Sequence, residues 1–186
     1  KSLQTILKEY LKSKYNKPGN VYLGIVHRLD KDTSGIVVFA KTENKKNELQ
    51  NNWSNVKREY YAIVEGKMPN KKDTLKSYLI EDKNLNVYST KDSKRGKIAI
   101  TEYEVLKENP KYSLLKINIK TGRRNQIRVQ LSDIGHPIIG DKKYGSVTNP
   151  LKRLGLHAYL LEFNSKGKTF NFKTKYPSKF TNVIKY

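Results

Sequence analysis

The sequence contains no cysteine, so neither a disulfide framework nor a cysteine metal site is available to it. Methionine and tryptophan occur once each, and no apolar run approaches the length of a membrane span. No secretory signal peptide opens the chain. With a mean hydropathy of −0.77, these features predict a soluble protein of the reducing cytoplasm that has no membrane partner.

Acidic residues are scarce relative to basic ones: 17 Asp and Glu stand against 38 Lys and Arg, a net charge of +21. Such an excess costs self-repulsion, which an anionic partner relieves. Nucleic acid is the first candidate, because neutralising phosphates releases counterions. The alternative is a lysine-rich coding bias, which gives a solubilising surface without any partner. Thirteen tyrosines favour the first explanation, since aromatic rings among positive charges can stack on bases.

The apolar pattern predicts many strands and few helices over the 186 residues. An amphipathic helix begins after Ser2 and packs on a core, and a polar surface helix is capped by Thr42 and reaches about Trp53. The β-branched run Ile36–Ala40 predicts a strand buried on both faces, and the chain from Pro177 onward is expected to form a tail. Without a repeated strand–helix–strand rhythm, the pattern indicates an α+β fold with a largely antiparallel sheet.

A charged loop precedes the run that starts at Ile36. Arg28 and Lys31 flank Asp30 and favour its ionised form. Charges paired within a solvated loop are the ordinary explanation of such a stretch. However, the order His-Arg-Leu-Asp, two residues, Thr-Ser-Gly and an apolar run resembles the catalytic motif of the RluA-type pseudouridine synthases. The resemblance implies that Asp30 is the catalytic carboxylate.

A second basic cluster runs from Thr121 to Arg128. Arg124 and Arg128 are four residues apart, which predicts a shared helix face, and the helix would begin at a Gly break where free N–H groups favour anions. The segment resembles the family's Thr-Gly-Arg-x-His-Gln-Ile-Arg motif, in which the last Arg pairs with the catalytic Asp, here Arg128 with Asp30. Asn125 stands in place of the usual His, and an asparagine can still cap the helix.

Two further stretches resemble the family. Arg58–Gly66 is similar to its Tyr-x-Ala-x-Val-x-Gly motif, which implies that Tyr60 lies against the target base. A tyrosine on a strand is more often core filler, and its neighbour Tyr61 must point to the opposite sheet face. We interpret the stretch at 134–145 as structural, with Asp141 capping or pairing locally.

The resemblance extends from about residue 20 to the end and implies the pseudouridine synthase fold, with flanking helices and a central catalytic cleft. It implies an RNA uridine isomerase that needs no cofactor or metal. His27 and Asp30 could in principle be metal ligands, but no other cluster completes a shell. We expect a monomer acting on ribosomal large-subunit RNA, with tRNA as the second choice. The residues expected to bind RNA are Arg28, Lys31, Arg123 and Arg124.

Two other classes of function remain open at this stage. A non-catalytic RNA-binding module on the same fold would bind RNA without turnover, and a basic ribosome-associated structural protein would explain the charge but not the motifs. We expect residues 1–186 to form a single catalytic domain without an S4-like RNA-binding domain. Because the family's sheet begins before Lys1, we also expect the chain to be truncated and to lack the family's first strand.

Overall fold

A computed structural model describes residues 1–185. The chain divides into two compact units: the smaller comprises Lys1–Leu29 and Val37–Asn55, and the larger comprises Asp30–Ile36 and the chain from Val56 onward. That both form one catalytic domain stays a prediction. Across residues 1–185, no helix has both the length and the apolar character needed to cross a membrane.

The helices and strands follow one another in this order: α1 (Leu3–Lys14), β1 (Gly24–Ile25), β2 (Ser34–Gly35), β3 (Phe39–Ala40), α2 (Glu43–Asn51), β4 (Lys57–Glu65), β5 (Lys72–Glu81), β6 (Val87–Thr90), β7 (Lys97–Glu108), β8 (Tyr112–Ile119), α3 (Gln126–Asp133), β9 (Leu156–Ser165), β10 (Lys168–Lys173) and α4 (Ser178–Ile184).

The smaller unit contains α1, α2 and an antiparallel pair formed by β1 and β3. Ser2 and Thr42 cap the two helices through their hydroxyl oxygens, as predicted. The prediction that α1 packs on a core was wrong, because none of its residues is buried in the described chain and Leu3 is 52% exposed. The apolar residues that this unit does bury, such as Val21, Ala40 and Leu49, come from its loops, from β3 and from α2.

The larger unit is built on an eight-stranded sheet. Its strand order is β10-β9-β4-β8-β7-β5-β6, and β2 pairs with β9. All pairs are antiparallel except β2 with β9, which is parallel. Along β8, Leu115 and Ile117 are fully buried while Lys116 and Asn118 are partly exposed, because successive side chains alternate between the faces. The α+β prediction with a largely antiparallel sheet is therefore confirmed.

Helices cover both faces of this sheet. On one face, Ile127 and Leu131 of α3 join a core cluster with Ala62. On the other face, Phe180 of α4 packs in a cluster with Ile63, the neighbour of Ala62 on β4. The expectation of a tail after Pro177 was wrong, because Phe180 has the helical spacing from Ile184 that forms an apolar stripe for the sheet.

The prediction that the run Ile36–Ala40 forms a single strand buried on both faces was wrong. The N–H of Ile36 still donates to the carbonyl of Ala158 on β9, but the chain then leaves this sheet and resumes pairing at Phe39 with β1. Only Ala40 of the run is buried. The β-branched composition identified extended backbone, but not the change of partner strand within it.

Candidate active site

The loop that carries Asp30 is held in a tight turn. The N–H of Thr33 donates to the carbonyl of Asp30 at 3.1 Å, and Asp32 adopts a left-handed backbone with φ of 68°. The loop ends at Gly35, where φ is 125° and an added Cβ would lie 2.1 Å from the carbonyl oxygen of Ala158. Only glycine allows so close an approach of the two backbones, so Gly35 fixes the end of the loop against β9.

Arg153 clamps the same loop to β9, a role that the sequence did not reveal. Its Nη2 donates to the hydroxyl of Ser34 at 2.7 Å and to the carbonyl of Leu156 at 3.2 Å. The Ser34 hydroxyl also bonds Nδ1 of the buried His157 at 2.7 Å. Burial, aided by the nearby Arg153 charge, lowers the pKa of His157 and so favours its neutral ring. Because Arg153 already donates to Oγ of Ser34, the Ser34 hydroxyl can donate its own hydrogen bond to Nδ1 of that ring.

Asp30 and Arg128 face each other across the site. Oδ2 of Asp30 lies 3.7 Å from Nη1 of Arg128, and the Asp30 side chain is only 28% exposed. Burial raises the pKa of the Asp30 carboxyl, while the positive charges of Arg128 and Arg124 partly oppose that rise. The loop therefore presents a partly dehydrated carboxylate beside a guanidinium, a state typical of functional groups in proteins.

Arg128 forms a bidentate pair with Asp141. Nε of Arg128 donates to Oδ2 of Asp141 at 2.6 Å, and Nη2 donates to Oδ1 at 2.8 Å. Asp141 is buried and its side chain caps no helix. The prediction of a local cap or pair was therefore wrong, because this carboxylate reaches α3 instead. Arg128 uses two nitrogens on Asp141 and turns the third, Nη1, toward Asp30.

Asn125 and Tyr144 complete a cradle around Arg128. Oδ1 of Asn125 accepts from Nη1 of Arg128 at 3.2 Å, and Nδ2 of Asn125 donates to the Tyr144 hydroxyl at 2.9 Å. The Tyr144 ring lies 4.9 Å from Cζ of Arg128, within the range of a cation–π contact. Asn125 occupies the N-cap position of α3, but its side chain makes no capping bond there, so it does not use its capacity to cap the helix.

The predicted common helix face of Arg124 and Arg128 is also wrong. Asn125 adopts a left-handed backbone with φ of 52°, so α3 starts at the residue after it, Gln126, and does not include Arg124. Nη1 of Arg124 instead pairs with Glu81 at 2.6 Å. Arg123 donates from Nε to a backbone carbonyl of β7 at 3.0 Å. Both guanidinium groups remain on the surface of the larger unit.

Tyr60 lies on the α3 side of β4 and packs against the core cluster there. Burial raises the pKa of Tyr60 to about 12, with a smaller contribution from the charge of Asp30. Tyr61 faces the other way, as predicted, and stacks on Tyr159 with ring centroids 4.1 Å apart. Lys31 is exposed near the start of the loop, and Arg28 is exposed in the smaller unit.

Neither His27 nor Asp30 belongs to a metal cluster. Within residues 1–185, no group of three or more His, Asp or Glu residues could hold a metal ion. The His27 ring stacks on Trp53 with centroids 4.5 Å apart, and its Nε2 accepts the N–H of Val38 at 3.1 Å. His27 therefore stabilises the smaller unit.

Comparisons with known proteins agree with these observations. The family model described as RNA pseudouridylate synthase matches residues 2–133. Ribosomal large subunit pseudouridine synthase D of Borreliella burgdorferi is 38% identical over 162 residues, covering 84% of this chain and 50% of that protein. An uncharacterized RNA pseudouridine synthase of Bacillus subtilis, YhcT, is 42% identical over 137 residues, covering 72% of this chain and 45% of that protein. The chain thus spans about half the length of these relatives.

Solved structures show the same fold. Human RNA Pseudouridylate Synthase Domain Containing 4 superposes with a TM-score of 0.79 at 24% identity, over 98% of this chain and 80% of that one. Human RNA Pseudouridylate Synthase Domain Containing 1 superposes with a TM-score of 0.78 at 22% identity, over 96% of this chain and 76% of that one. The fold and the RluA-type resemblance are confirmed, and the chain belongs to the RNA pseudouridylate synthase family.

Proposed function

We propose that this chain isomerises uridine to pseudouridine in ribosomal large-subunit RNA, with Asp30 as the catalytic carboxylate. The observation that carries the proposal is the partly dehydrated Asp30, 3.7 Å from Arg128, on a loop with the family's motif. The name of the Borreliella relative favours ribosomal RNA over tRNA, and the net charge of +21 suits a polyanionic substrate. A cytoplasmic monomer is part of the same proposal.

The reaction breaks the N1–C1′ bond of uridine, turns the base, and forms a bond between C5 and C1′. The proton on C5 leaves and N1 gains one, so the product is an isomer of the substrate. Asp30 acts at the ribose, either by attacking C1′ or by removing the C2′ proton. Both routes need an ionised carboxylate, and Arg128 stabilises that charge in a partly buried place.

Arg128 can serve Asp30 because its own position is fixed. Asp141 holds it through two bonds and Tyr144 covers its face. A bidentate pair restricts orientation more than a point charge does. Nη1, which also donates to Asn125, therefore stabilises Asp30 without enclosing the carboxylate in a second fork, which would hold it away from the ribose.

Tyr60 supplies the wall against which the extruded base rests. The target base must leave its stack to be turned, and a pocket for a flipped base needs an aromatic or apolar surface. With a pKa raised to about 12, the Tyr60 phenol is protonated at neutral pH. Its hydroxyl therefore acts first as a hydrogen-bond donor, and it can take the C5 proton only if its own proton leaves in the same step.

Product analysis tests the proposal. An unmodified transcript of large-subunit RNA is incubated with the chain, digested to nucleosides, and separated by chromatography, where pseudouridine and uridine differ in retention. We expect pseudouridine with the wild-type chain and none with Asp30→Asn. Binding of the transcript without any pseudouridine would favour the non-catalytic RNA-binding module, provided that other large-subunit fragments and tRNA also remain unmodified.

A further inference from the structure

We propose that the edge of the sheet formed by β10 is a second RNA contact, which stacks unpaired bases beside the target nucleotide on three phenylalanine rings. The rings belong to Phe163, Phe170 and Phe172, called here the aromatic stripe. All three lie beyond the residues that the family model matches. The placement of this surface next to a catalytic loop rests on the proposed function.

The stripe is exposed and its rings are already arranged together. Phe170 is 39% exposed and Phe172 is 45% exposed, and the two rings form part of one apolar patch instead of standing singly. The rings of Phe163 and Phe170 stack with centroids 5.3 Å apart and planes inclined by 17°. Phe172 lies 6.2 Å from Phe163. A ring held by its neighbours loses little conformational entropy when a base stacks on it.

The charge around the stripe identifies a polyanion as its partner. From Phe163 to the end, the sequence contains six lysines and no acidic residue. Lys168 shares the sheet face of Phe170 and Phe172, because residues two apart on a strand point the same way. A positively charged surface that carries aromatic rings binds single-stranded nucleic acid through its phosphates and the faces of its bases. A protein partner would need to be acidic as well as apolar.

The topology places the stripe beside the catalytic loop. β2 and β10 both pair with β9 on the edge away from β4: Gly35 of β2 lies opposite Ala158, and Phe172 of β10 lies opposite Leu161. Three residues of a strand span about 10 Å. The nearer end of the stripe is therefore about 10 Å along the sheet edge from the end of the Asp30 loop.

The stripe also shares a sheet face with part of the site. Leu161 lies opposite Phe172 on β10 and opposite Arg58 on β4, and side chains of directly opposed residues project from the same face. Arg58 approaches the turn before α3, where a Cβ on Gly122 would meet its Nη1 at 2.4 Å. Nucleotides that flank the target can thus follow one face from the α3 turn to the sheet edge.

Binding measurements with two RNA probes test this inference. The first probe is a fluorescently labelled, unstructured single strand of about 15 nucleotides, and the second is a blunt duplex of the same length. We expect Phe170→Ala and Phe172→Ala each to weaken single-strand binding about tenfold, since stacking on one ring contributes to binding by that order. Duplex binding should change by less than about twofold, because paired bases are already stacked.

Matched substitutions separate stacking from apolar contact. Phe172→Tyr keeps the aromatic face and should bind the single strand like wild type, while Phe172→Leu keeps apolar area without a π-face and should bind like Phe172→Ala. Wild-type affinity in Phe172→Leu would show that the edge docks apolar surface, as for a protein strand, and would overturn the inference. Single-strand binding unaffected by both alanine substitutions would overturn it as well.

The same variants can be distinguished from a failure of the proposed function. Binding is measured in Asp30→Asn as well as in the wild-type background, so the result does not depend on turnover. In turnover assays, the stripe variants should need about tenfold more RNA to reach half of their maximal single-turnover rate, because the stripe contacts neighbouring nucleotides and not the reacting base. A stripe-dependent affinity without any pseudouridine would count against the proposed function alone, and an unchanged half-saturating RNA concentration would count against the stripe as a flanking contact.

Discussion

At the scale of single residues, burial controls the pH range in which Asp30 can act. Its carboxyl must be ionised, and burial raises its pKa even though Arg128 and Arg124 oppose the shift. Activity should therefore disappear as the pH falls through a value above the range of an ordinary aspartate, about 3.9. The acidic limb of kcat/KM against pH measures this value. A limb at or below 3.9, with RNA binding intact, would contradict the partly dehydrated carboxylate.

Arg128→Lys should reduce the saturating rate about a hundredfold, because an ammonium cannot hold both oxygens of Asp141 while it faces Asp30. Single-turnover kinetics with saturating RNA measure the loss. Arg95→Lys, at an exposed turn position, is the matched control and should retain the wild-type rate. A wild-type rate in Arg128→Lys would show that the fork has no role in catalysis.

Asp141→Ala should destabilise the fold as well as the site. Both members of the pair are largely buried, with side chains 2% and 13% exposed. The substitution removes the bidentate partner of Arg128 and leaves it only the longer contact with Asp30, which should cost up to about 3–5 kcal/mol. Denaturant unfolding measures the cost. Asp133→Ala removes an exposed carboxylate of α3 and should change stability by less than about 1 kcal/mol. Equal effects of the two substitutions would mean that the Asp141 pair contributes nothing.

Substitutions of Tyr60 should separate its ring from its hydroxyl. Tyr60→Phe keeps the surface for the flipped base, so RNA binding should stay near normal while turnover becomes poor. Tyr60→Ala should lose both, since base–aromatic stacking contributes about 1–3 kcal/mol. Thermal stability and single-turnover rate, measured for both Tyr60 variants, distinguish the role of the ring from that of the hydroxyl. Tyr61→Phe is the control on the opposite face. Full activity in Tyr60→Phe would remove the hydroxyl from the mechanism.

At the scale of elements, the junction of β2 with β9 determines where the Asp30 loop lies. Gly35→Ala would place a Cβ 2.1 Å from the carbonyl oxygen of Ala158, so β2 must separate from β9 and the variant should lose more than about 3 kcal/mol of stability together with its activity. Gly167→Ala also has a positive φ but meets no atom within 4 Å. It should cost about 1–2 kcal/mol. Similar unfolding midpoints for the two would contradict the close approach.

The elements also show how far sequence reasoning reaches. The hydroxyl caps of α1 and α2 depend on neighbours in the chain, and these predictions are confirmed. The family motifs implied that Asp30 and Arg128 pair, and the fold places the two side chains 3.7 Å apart. What the sequence missed depends on distant partners: the fork from Asp141, the clamp by Arg153 and the change of sheet after Ile36. No local pattern encodes which distant strand or carboxylate a side chain will meet.

At the scale of the whole molecule, the charge of +21 predicts steep salt dependence. Log affinity for single-stranded RNA should fall linearly with log salt, by about 0.7 for each phosphate neutralised. Fluorescence anisotropy between about 50 and 200 mM salt measures the slope, with thermal unfolding over the same range as the control. An affinity that does not change with salt would favour coding bias as the explanation of the lysine excess.

The most direct test of the whole account is release of tritium from RNA labelled at uridine C5. The label leaves only when C5 forms its new bond to C1′, so its release reports the isomerisation itself. Asp32→Asn is the matched control for Asp30→Asn, because Asp32 lies exposed on the same loop and asparagine also tolerates its left-handed backbone. We predict release with the wild-type chain and with Asp32→Asn, and none with Asp30→Asn at equal RNA binding. Release by Asp30→Asn at the wild-type rate would contradict the account.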